Sequence, residues 1–298
     1  MIAKTAGKVV RLFGICVPLV VLVTSCKTIV ITEQRILRPM PRDSIANRAF
    51  IAAVPSSYRV REHRIRAEDG SALYAVSLVR DHAAATVLYF GGNMFRISSM
   101  GPAAVKYLTP LDVNLVLVDH RGYGESSGKP EHFAQLQRDA LTVYDAVRQL
   151  PEVANTRLVV HGQSLGSFLA GYVSRERKID GLVLEGSATT GSDWLRAADR
   201  RPWYVRLFTR LKIAPELKEI GNIEPMRRLD EPLMILVGEQ DVVMPPDLAR
   251  QLFDAANVPP ETKRLHILSG ATHNNVASHE QFIPFYREFL SLISSAQR

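Results

Sequence analysis

The sequence predicts one α/β domain with a mostly parallel eight-stranded sheet and helices on both faces. Eight candidate strands recur along the chain, most of them short apolar runs, and most are separated by segments long enough to hold a helix. A chain of 298 residues with 46% hydrophobic composition can bury one sizeable core. Because no repeat or low-complexity run suggests a second fold, we expect a single catalytic or binding domain over residues 58–298.

The predicted strands begin with an antiparallel pair and continue as a parallel series joined by helical crossovers. They lie at residues 58–66, 71–80, 86–90, 114–119, 156–161, 181–185, 233–238 and 263–268. The crossover near 131–149 has the clearest helical pattern, because Phe133, Leu136, Ala140 and Val143 recur at steps of three and four residues.

The strand near 156–161 leads into Gly162-Gln163-Ser164-Leu165-Gly166, which reads as G-x-S-x-G on a strand-to-helix turn. Such a turn brings the backbone and the helix close together, so small residues are needed on both sides of the serine. The first N–H groups of the following helix would face the same point and favour a developing oxyanion. Ser164 is therefore the candidate nucleophile.

A serine nucleophile needs an imidazole to accept its proton and a carboxylate to orient the imidazole. Two later strand ends supply these groups: Asp241 follows one apolar strand, and His273 follows the next strand and a turn. We predict that His273 is the general base and that Asp241 orients it. Glu239 and Glu185 remain alternatives for the acid, since each also follows a predicted strand.

The order serine, acid, histidine resembles that of the α/β-hydrolase family, in particular its monoglyceride-lipase-like, depalmitoylase-like and serine-aminopeptidase-like acylhydrolases. The segment 119–126, Asp-His-Arg-Gly-Tyr-Gly-Glu-Ser, resembles the D-x-R-G-x-G-x-S loop of that group. The resemblance covers roughly residues 58–295. It implies the α/β-hydrolase fold and a serine esterase, lipase or thioesterase activity, and it gives Arg121 and Tyr123 structural roles.

The loop after the third strand departs from the family pattern. Family members usually carry a His-Gly pair there, whereas this chain has Gly91-Gly92-Asn93-Met94. By position, the backbone N–H groups of Asn93 and Leu165 would form the oxyanion hole, with Met94 as the alternative to Asn93. Loss of one such donor costs about 10²–10³ in rate. The other interpretation of the two glycines is a flexible turn without a catalytic role.

Residues 188–228, between the sixth and seventh strands, are longer than a simple crossover and predict a small helical cap over the strand ends. The cap contains Trp194 and Trp203, which we predict, with Met94, to contact the substrate. Basic residues alternate with its aromatic residues. This composition suits an amphiphilic acyl substrate or an anionic membrane surface, although an ordinary cap with a solvated basic face has the same composition.

The N-terminus resembles a bacterial lipoprotein signal. Three basic residues precede an apolar run at 12–23, which has the length of a signal-peptide core and ends in a lipobox-like sequence before Cys26. We predict a signal peptide over 1–25, lipidation of Cys26, and a partly extended tether over 26–57. The residue after the cysteine, Lys27, favours the outer membrane and its periplasmic face by resemblance. An uncleaved signal anchor is the alternative.

Charge and composition argue against several other classes of protein. The net charge is +7 and falls to +4 without residues 1–25, which hold three basic residues and no acid, so nothing favours nucleic-acid binding. The chain contains no H-E-x-x-H sequence, and its two cysteines, Cys16 and Cys26, lie in or beside the predicted signal peptide. We expect neither a metal nor an organic cofactor.

Together these patterns predict a membrane-tethered serine hydrolase that cleaves a carboxylic ester or thioester of a small or lipid acyl substrate through an acyl-enzyme on Ser164. A histidine base, which must be neutral to accept the serine proton, predicts a rate that rises with pH. An acyltransferase or an aminopeptidase would use the same triad. A catalytically inactive lipoprotein that keeps the fold as a binding scaffold is a further alternative.

Overall fold

The computed structural model describes residues 27–41 and 47–295. The predicted signal peptide at 1–25 and the predicted lipidation site Cys26 lie outside the described residues. Within this part of the chain, no helix combines the length and the apolar composition that a membrane crossing requires.

The predicted eight-stranded sheet is confirmed, and each of its predicted strands agrees with the observed bounds to within two residues. The described strands are β1 (Lys27–Ile31), β2 (Met40–Pro41), β3 (Arg59–Arg66), β4 (Ala72–Val79), β5 (Ala85–Phe90), β6 (Asn114–Val118), β7 (Tyr123–Gly124), β8 (Arg157–Gln163), β9 (Gly181–Glu185), β10 (Thr209–Ile213), β11 (Leu233–Gly238) and β12 (Lys263–Leu268). The large sheet has the order β12-β11-β9-β8-β5-β6-β4-β3, with β4 antiparallel to both neighbours and the other pairs parallel.

Helices cover both faces of this sheet, as a sheet buried on both sides requires. They are α1 (Glu33–Ile36), α2 (Asn47–Ala53), α3 (Ile97–Leu108), α4 (Phe133–Arg148), α5 (Pro151–Ala154), α6 (Leu165–Glu176), α7 (Gly191–Ala198), α8 (Trp203–Phe208), α9 (Ile223–Arg227), α10 (Pro246–Ala255) and α11 (Phe282–Ser295). One apolar cluster packs α4, α6 and α10 against the sheet, and a second packs α2, α3 and α11 against the other face. The sheet is therefore the middle of three layers.

The segment predicted as an extended tether, residues 26–57, differs from that prediction where it is described. β1 pairs in parallel with β10, with Lys27 opposite Thr209, and forms a separate two-stranded ribbon. Farther along, Leu37 and Phe50 are each 3% exposed. The prolines of this segment suggested a tether, but they leave β1 and α1 free to pack against parts of the chain that are distant in sequence.

The cap at 188–228 was predicted to be helical, and the structure differs from that prediction. It contains α7, α8 and α9, but β10 lies between α8 and α9 and forms the ribbon with β1. The sequence of β10, Thr-Arg-Leu-Lys-Ile, alternates between exposed and more buried side chains, which is typical of a strand with one covered face. The ribbon joins the N-terminal segment to the cap.

Candidate active site

Ser164 occupies a strained turn between β8 and α6. Its backbone has φ 52° and ψ −117°, a conformation that costs energy for a residue with a side chain and is a feature of functional sites. A Cβ atom at Gly162 would overlap the carbonyl group of Gly166, and one at Gly166 would overlap the carbonyl group of Phe90. Both glycines are thus required by close backbone approach, and the turn projects Ser164 at the carboxyl end of the sheet.

The structure brings Ser164, His273 and Asp241 into one hydrogen-bonded series. Nε2 of His273 lies 2.9 Å from Oγ of Ser164, and Nδ1 of His273 lies 2.7 Å from Oδ2 of Asp241. Nδ1 therefore donates to the carboxylate, which leaves Nε2 to accept from the serine hydroxyl. The Asp241 side chain is fully buried, and its Oδ1 accepts from the N–H groups of Val243 and Met244 at 2.8 Å each.

The two alternative acids lie elsewhere. Glu185 is buried and contacts Nε2 of His161 at 3.2 Å. Glu239 accepts hydrogen bonds at the surface from the Ser269 hydroxyl and the Gly270 N–H. Asp241 is therefore the carboxylate that faces His273.

The Gly91-Gly92 loop is held in place on several sides. Nε2 of His120 donates to the Gly91 carbonyl at 2.8 Å, and burial lowers the pKa of His120, which favours the neutral ring. The Asn93 amide donates to the Ile36 carbonyl at 3.0 Å and accepts from the Tyr123 hydroxyl at 2.9 Å. These contacts argue against an unconstrained turn.

Asn93 and Leu165, the predicted oxyanion donors, both line the cavity that contains Ser164. Leu165 is the first residue of α6, where a helix leaves its N–H groups without intrahelical partners. Within residues 27–41 and 47–295, neither backbone N–H donates to another backbone group. Both positions are compatible with the oxyanion hole, whose assignment stays a prediction.

The D-x-R-G-x-G-x-S loop is fixed next to the site by buried ion pairs and hydrogen bonds. Arg121 forms a bidentate ion pair with Asp139, at 2.6 and 2.7 Å, and is itself buried. Asp119 accepts from the N–H groups of Ile97 and Glu125 at 2.7 and 2.9 Å, yet burial raises its pKa to about 6. Through Tyr123 the same loop contacts Asn93. Arg121 and Asp119 therefore stabilise this loop through their buried contacts.

A cavity of about 320 Å³ opens beside Ser164 and has a mostly apolar lining. Its walls come from the core, from the cap, from the loop after β11 and from the N-terminal segment. The lining residues are Arg35, Ile36, Asn93, Phe133, Ser164, Leu165, Phe168, Gly191, Trp194, Ile213, Leu217, Ile220, Val243 and Met244. The cavity has the composition of a small-molecule site, in which apolar side chains surround a few polar groups.

Of the three residues predicted to contact the substrate, one lines the cavity and two do not. Trp194 lines the cavity and donates from Nε1 to the Val243 carbonyl at 3.0 Å. Trp203 is wrong as a pocket residue: it is 74% exposed at the start of a short surface helix. Met94 is also wrong, because its left-handed backbone (φ 72°) belongs to a turn that leaves the side chain 54% exposed, outside the lining of the cavity.

Several lining residues were missed by the sequence analysis. Phe168 lies four residues after Ser164 on α6 and so occupies the same helix face, a signal that the sequence contained. Arg35 and Ile36 had no such signal, because their position depends on the pairing of β1 with a distant strand. Among the described residues, no cluster of three or more histidine, cysteine, aspartate or glutamate side chains could hold a metal ion.

Comparison with known proteins agrees with the geometry. The family model described as "Serine aminopeptidase, S33" matches residues 81–227, which include Asn93 and Ser164. Protein bem46 of Schizosaccharomyces pombe is 27% identical over 210 residues, covering 69% of this chain and 67% of that protein. Human alpha/beta hydrolase domain-containing protein 17B is 24% identical over 206 residues, covering 69% and 66%. The chain thus spans about two thirds of each relative.

Among solved structures, the Pyrococcus furiosus esterase Pf2001 superimposes with a TM-score of 0.65. The match covers 86% of this chain and 98% of the esterase at 17% sequence identity. At that identity the similarity establishes the fold, and the chemistry has to be argued from the side chains around Ser164.

Proposed function

We propose that this chain, which has the α/β-hydrolase fold, is a hydrolase that cleaves carboxylic ester or thioester bonds through an acyl-enzyme on Ser164. The observation that carries this proposal is the Ser164–His273–Asp241 series, with its 2.9 and 2.7 Å contacts, at the edge of an apolar cavity. An ordinary structural serine would need neither the strained turn nor the buried carboxylate behind the histidine.

In the first half of the reaction, Nε2 of His273 accepts the hydroxyl proton as Oγ of Ser164 attacks the acyl carbon. The N–H groups of Asn93 and Leu165 stabilise the oxyanion of the tetrahedral intermediate. His273 then gives its proton to the leaving alcohol or thiol as the carbonyl forms again. Asp241 stabilises the imidazolium form throughout.

In the second half, a water molecule gives a proton to His273 and attacks the acyl-enzyme. The tetrahedral intermediate collapses, His273 returns the proton to Oγ of Ser164, and the carboxylic acid leaves. An alcohol or amine in place of water would make the same site an acyltransferase. Product analysis with competing acceptors distinguishes the two reactions.

The lining of the cavity favours an acyl substrate over a peptide with a free N-terminus. Recognition of an N-terminal ammonium group calls for a carboxylate. Among the lining side chains that the structure describes, the one charged group is the guanidinium of Arg35. Aminopeptidase activity therefore has less support than ester or thioester cleavage, and assays with aminoacyl substrates test this difference.

Labelling with a fluorophosphonate tests the proposal for the full chain. We expect Ser164→Ala to abolish labelling and to lower the turnover of nitrophenyl esters by about 10⁴-fold or more. Ser174→Ala is the matched control, because Ser174 lies on the same helix and its hydroxyl bonds only the local carbonyl of Gly171. A Ser164→Ala protein that still labels and turns over would exclude the acyl-enzyme, and a wild-type chain that does neither would favour a binding scaffold.

We also propose that the enzyme is lipid-anchored at Cys26 in a bacterial envelope, with the outer membrane favoured over the inner. The support is the apolar run at 12–23 followed by the lipobox-like sequence. Incorporation of radiolabelled palmitate, lost in Cys26→Ser, would test the anchor, and fractionation of the two membranes would test the location. Equal labelling of wild type and Cys26→Ser would contradict lipidation at this residue.

A further inference from the structure

Four large apolar side chains are exposed together on α8. Trp203, Tyr204, Leu207 and Phe208 are 74%, 55%, 63% and 53% exposed, respectively, and we call these four residues the α8 patch. The exposed surface of this six-residue helix is mostly apolar, with Arg206 as its one charged residue. Contiguous apolar surface of this kind marks a site of contact with another body.

Basic residues flank the α8 patch in the sequence. Between residues 196 and 213 the chain has six basic residues and one acidic residue, Asp199. Asp199 forms ion pairs with Arg201 at 2.7 Å and with Arg206 at 3.9 Å, and Arg200, Arg206 and Arg210 are exposed. Aromatic and aliphatic side chains beside arginines suit the interface of an anionic bilayer, where rings sit at the level of the headgroups and cations meet phosphates.

The α8 patch lies where the N-terminal 26 residues join the described structure. Lys27 starts β1 and pairs with Thr209, the residue directly after Phe208. The sequence before Lys27 includes the apolar run at 12–23. Any attachment of residues 1–26 to a membrane would therefore bring the α8 patch to the same surface.

The same ribbon leads from the α8 patch to the cavity. β10 starts at Thr209 beside the patch and ends at Ile213, which lines the cavity. At about 3.3 Å per residue, these four steps span about 13 Å. β1 runs parallel to β10 and is followed by α1, which contributes Arg35 and Ile36 to the same wall.

From these observations we propose that the α8 patch inserts into the interface of an anionic bilayer and holds the cavity where it can take acyl substrates directly from the membrane. The bilayer contact follows from the exposed side chains and cations. The supply of acyl substrate rests on the proposed esterase or thioesterase function.

Tryptophan fluorescence tests the contact, because the chain has two tryptophans and one of them is in the patch. The full chain is mixed with vesicles of phosphatidylcholine and phosphatidylglycerol, with or without bromine on the acyl chains. We expect brominated lipid to quench wild-type emission more strongly than the emission of Trp203→Phe, which comes from Trp194 in the cavity wall. Equal quenching in both proteins would overturn the proposal, as would no quenching in the wild type.

Activity provides the second test. The first variant is the triple substitution Trp203→Ser/Leu207→Ser/Phe208→Ser. We expect it to lower the turnover of a vesicle-borne ester by about tenfold, which is the equivalent of burying one large apolar side chain. Its turnover of a soluble short-chain ester should be unchanged. The matched control is Ile51→Ser/Met100→Ser, which removes two exposed apolar side chains, 52% and 43% exposed, from helices α2 and α3.

The outcomes separate the two proposals. An equal fall in both assays, or the same fall in the control protein, would overturn a specific role for the α8 patch. A wild-type protein that hydrolyses neither ester would contradict the proposed function, and lipid quenching at Trp203 would still decide the bilayer contact.

Discussion

The inner and outer walls of the cavity are held in different ways. The inner wall, with Leu165, Phe168 and Met244, comes from elements at the carboxyl end of the eight-stranded sheet. The outer wall, with Ile36 and Ile213, comes from the N-terminal segment and the cap, which are joined by a two-stranded ribbon. The reacting groups lie with the inner wall, and much of the space for a substrate depends on the outer one.

This difference teaches that the chemistry and the size of the site are supported separately. The triad depends on three strand ends and on short contacts among buried groups. The outer wall depends on a small sheet and on α1, whose Glu33 is 4% exposed and accepts from the N–H of Phe133 at 2.7 Å. Changes in one wall should therefore alter kinetic parameters that changes in the other leave alone.

The largest effect is expected from Asp241→Asn, compared with Glu185→Gln. Both carboxylates are buried and both contact a histidine ring, but Glu185 contacts His161. Asp241→Asn should lower kcat by about 10⁴-fold, because the amide favours the wrong tautomer of His273. Steady-state kinetics on a short-chain ester should show that Glu185→Gln keeps most of the activity. Similar losses in the two variants would break the assignment of the acid.

A smaller effect, on the free energy of unfolding, is expected from the titration of Asp119 in the D-x-R-G-x-G-x-S loop. Burial raises its pKa from 3.8 to about 6 in the folded state. Protonation therefore favours the folded state: this contribution is complete below a pH of about 4 and is lost as the pH rises through about 6. Asp119→Asn lacks this titration.

Urea denaturation of both proteins at several pH values measures this effect. From pH 7 to 4 the free energy of unfolding of the wild type, relative to Asp119→Asn, should rise by up to roughly 3 kcal/mol, the equivalent of the pKa shift. A difference that stays constant with pH would contradict the raised pKa, because other titrating groups are common to both proteins.

The smallest effect tests the outer wall through Glu33→Ala. The variant removes the contacts of Glu33 with the Phe133 N–H and with Nδ1 of His132, so α1 loses its anchor. Charge-assisted hydrogen bonds contribute about 1.5–3 kcal/mol, and we expect KM for a long-chain ester to rise about tenfold while kcat for a short-chain ester is kept. Gln34→Ala, at the exposed neighbouring position, should change neither. A loss of kcat for short esters in Glu33→Ala would mean that the two walls are coupled.

The inner wall could be predicted from the sequence because its signals are local. Ser164 lies between glycines that the turn requires, and Asp241 and His273 each follow a strand with a clear apolar pattern. The central parallel strands were predicted on the same basis, since parallel strands buried on both faces are continuous apolar runs. The spatial proximity of the three side chains then follows from the topology of the sheet.

The outer wall could not be predicted, because its contacts join distant parts of the chain. Nothing in Lys27–Ile31 indicates a strand partner that lies about 180 residues later. The two tryptophans illustrate the same limit, because both lie in the cap. Trp194 on α7 lines the cavity, whereas Trp203 on α8 is exposed at the surface. Composition identified the cap, and tertiary packing decided which of its side chains face inward.

The ribbon of β1 and β10 also has a consequence for motion. A sheet of two strands is marginally stable, and this one closes a loop of about 180 residues. Its amide hydrogens should therefore exchange with solvent at a lower free energy of opening than those of the eight-stranded sheet. The outer wall would then open and close many times for each complete unfolding, which gives an acyl chain longer than the closed cavity a way in without disturbing Ser164, His273 and Asp241.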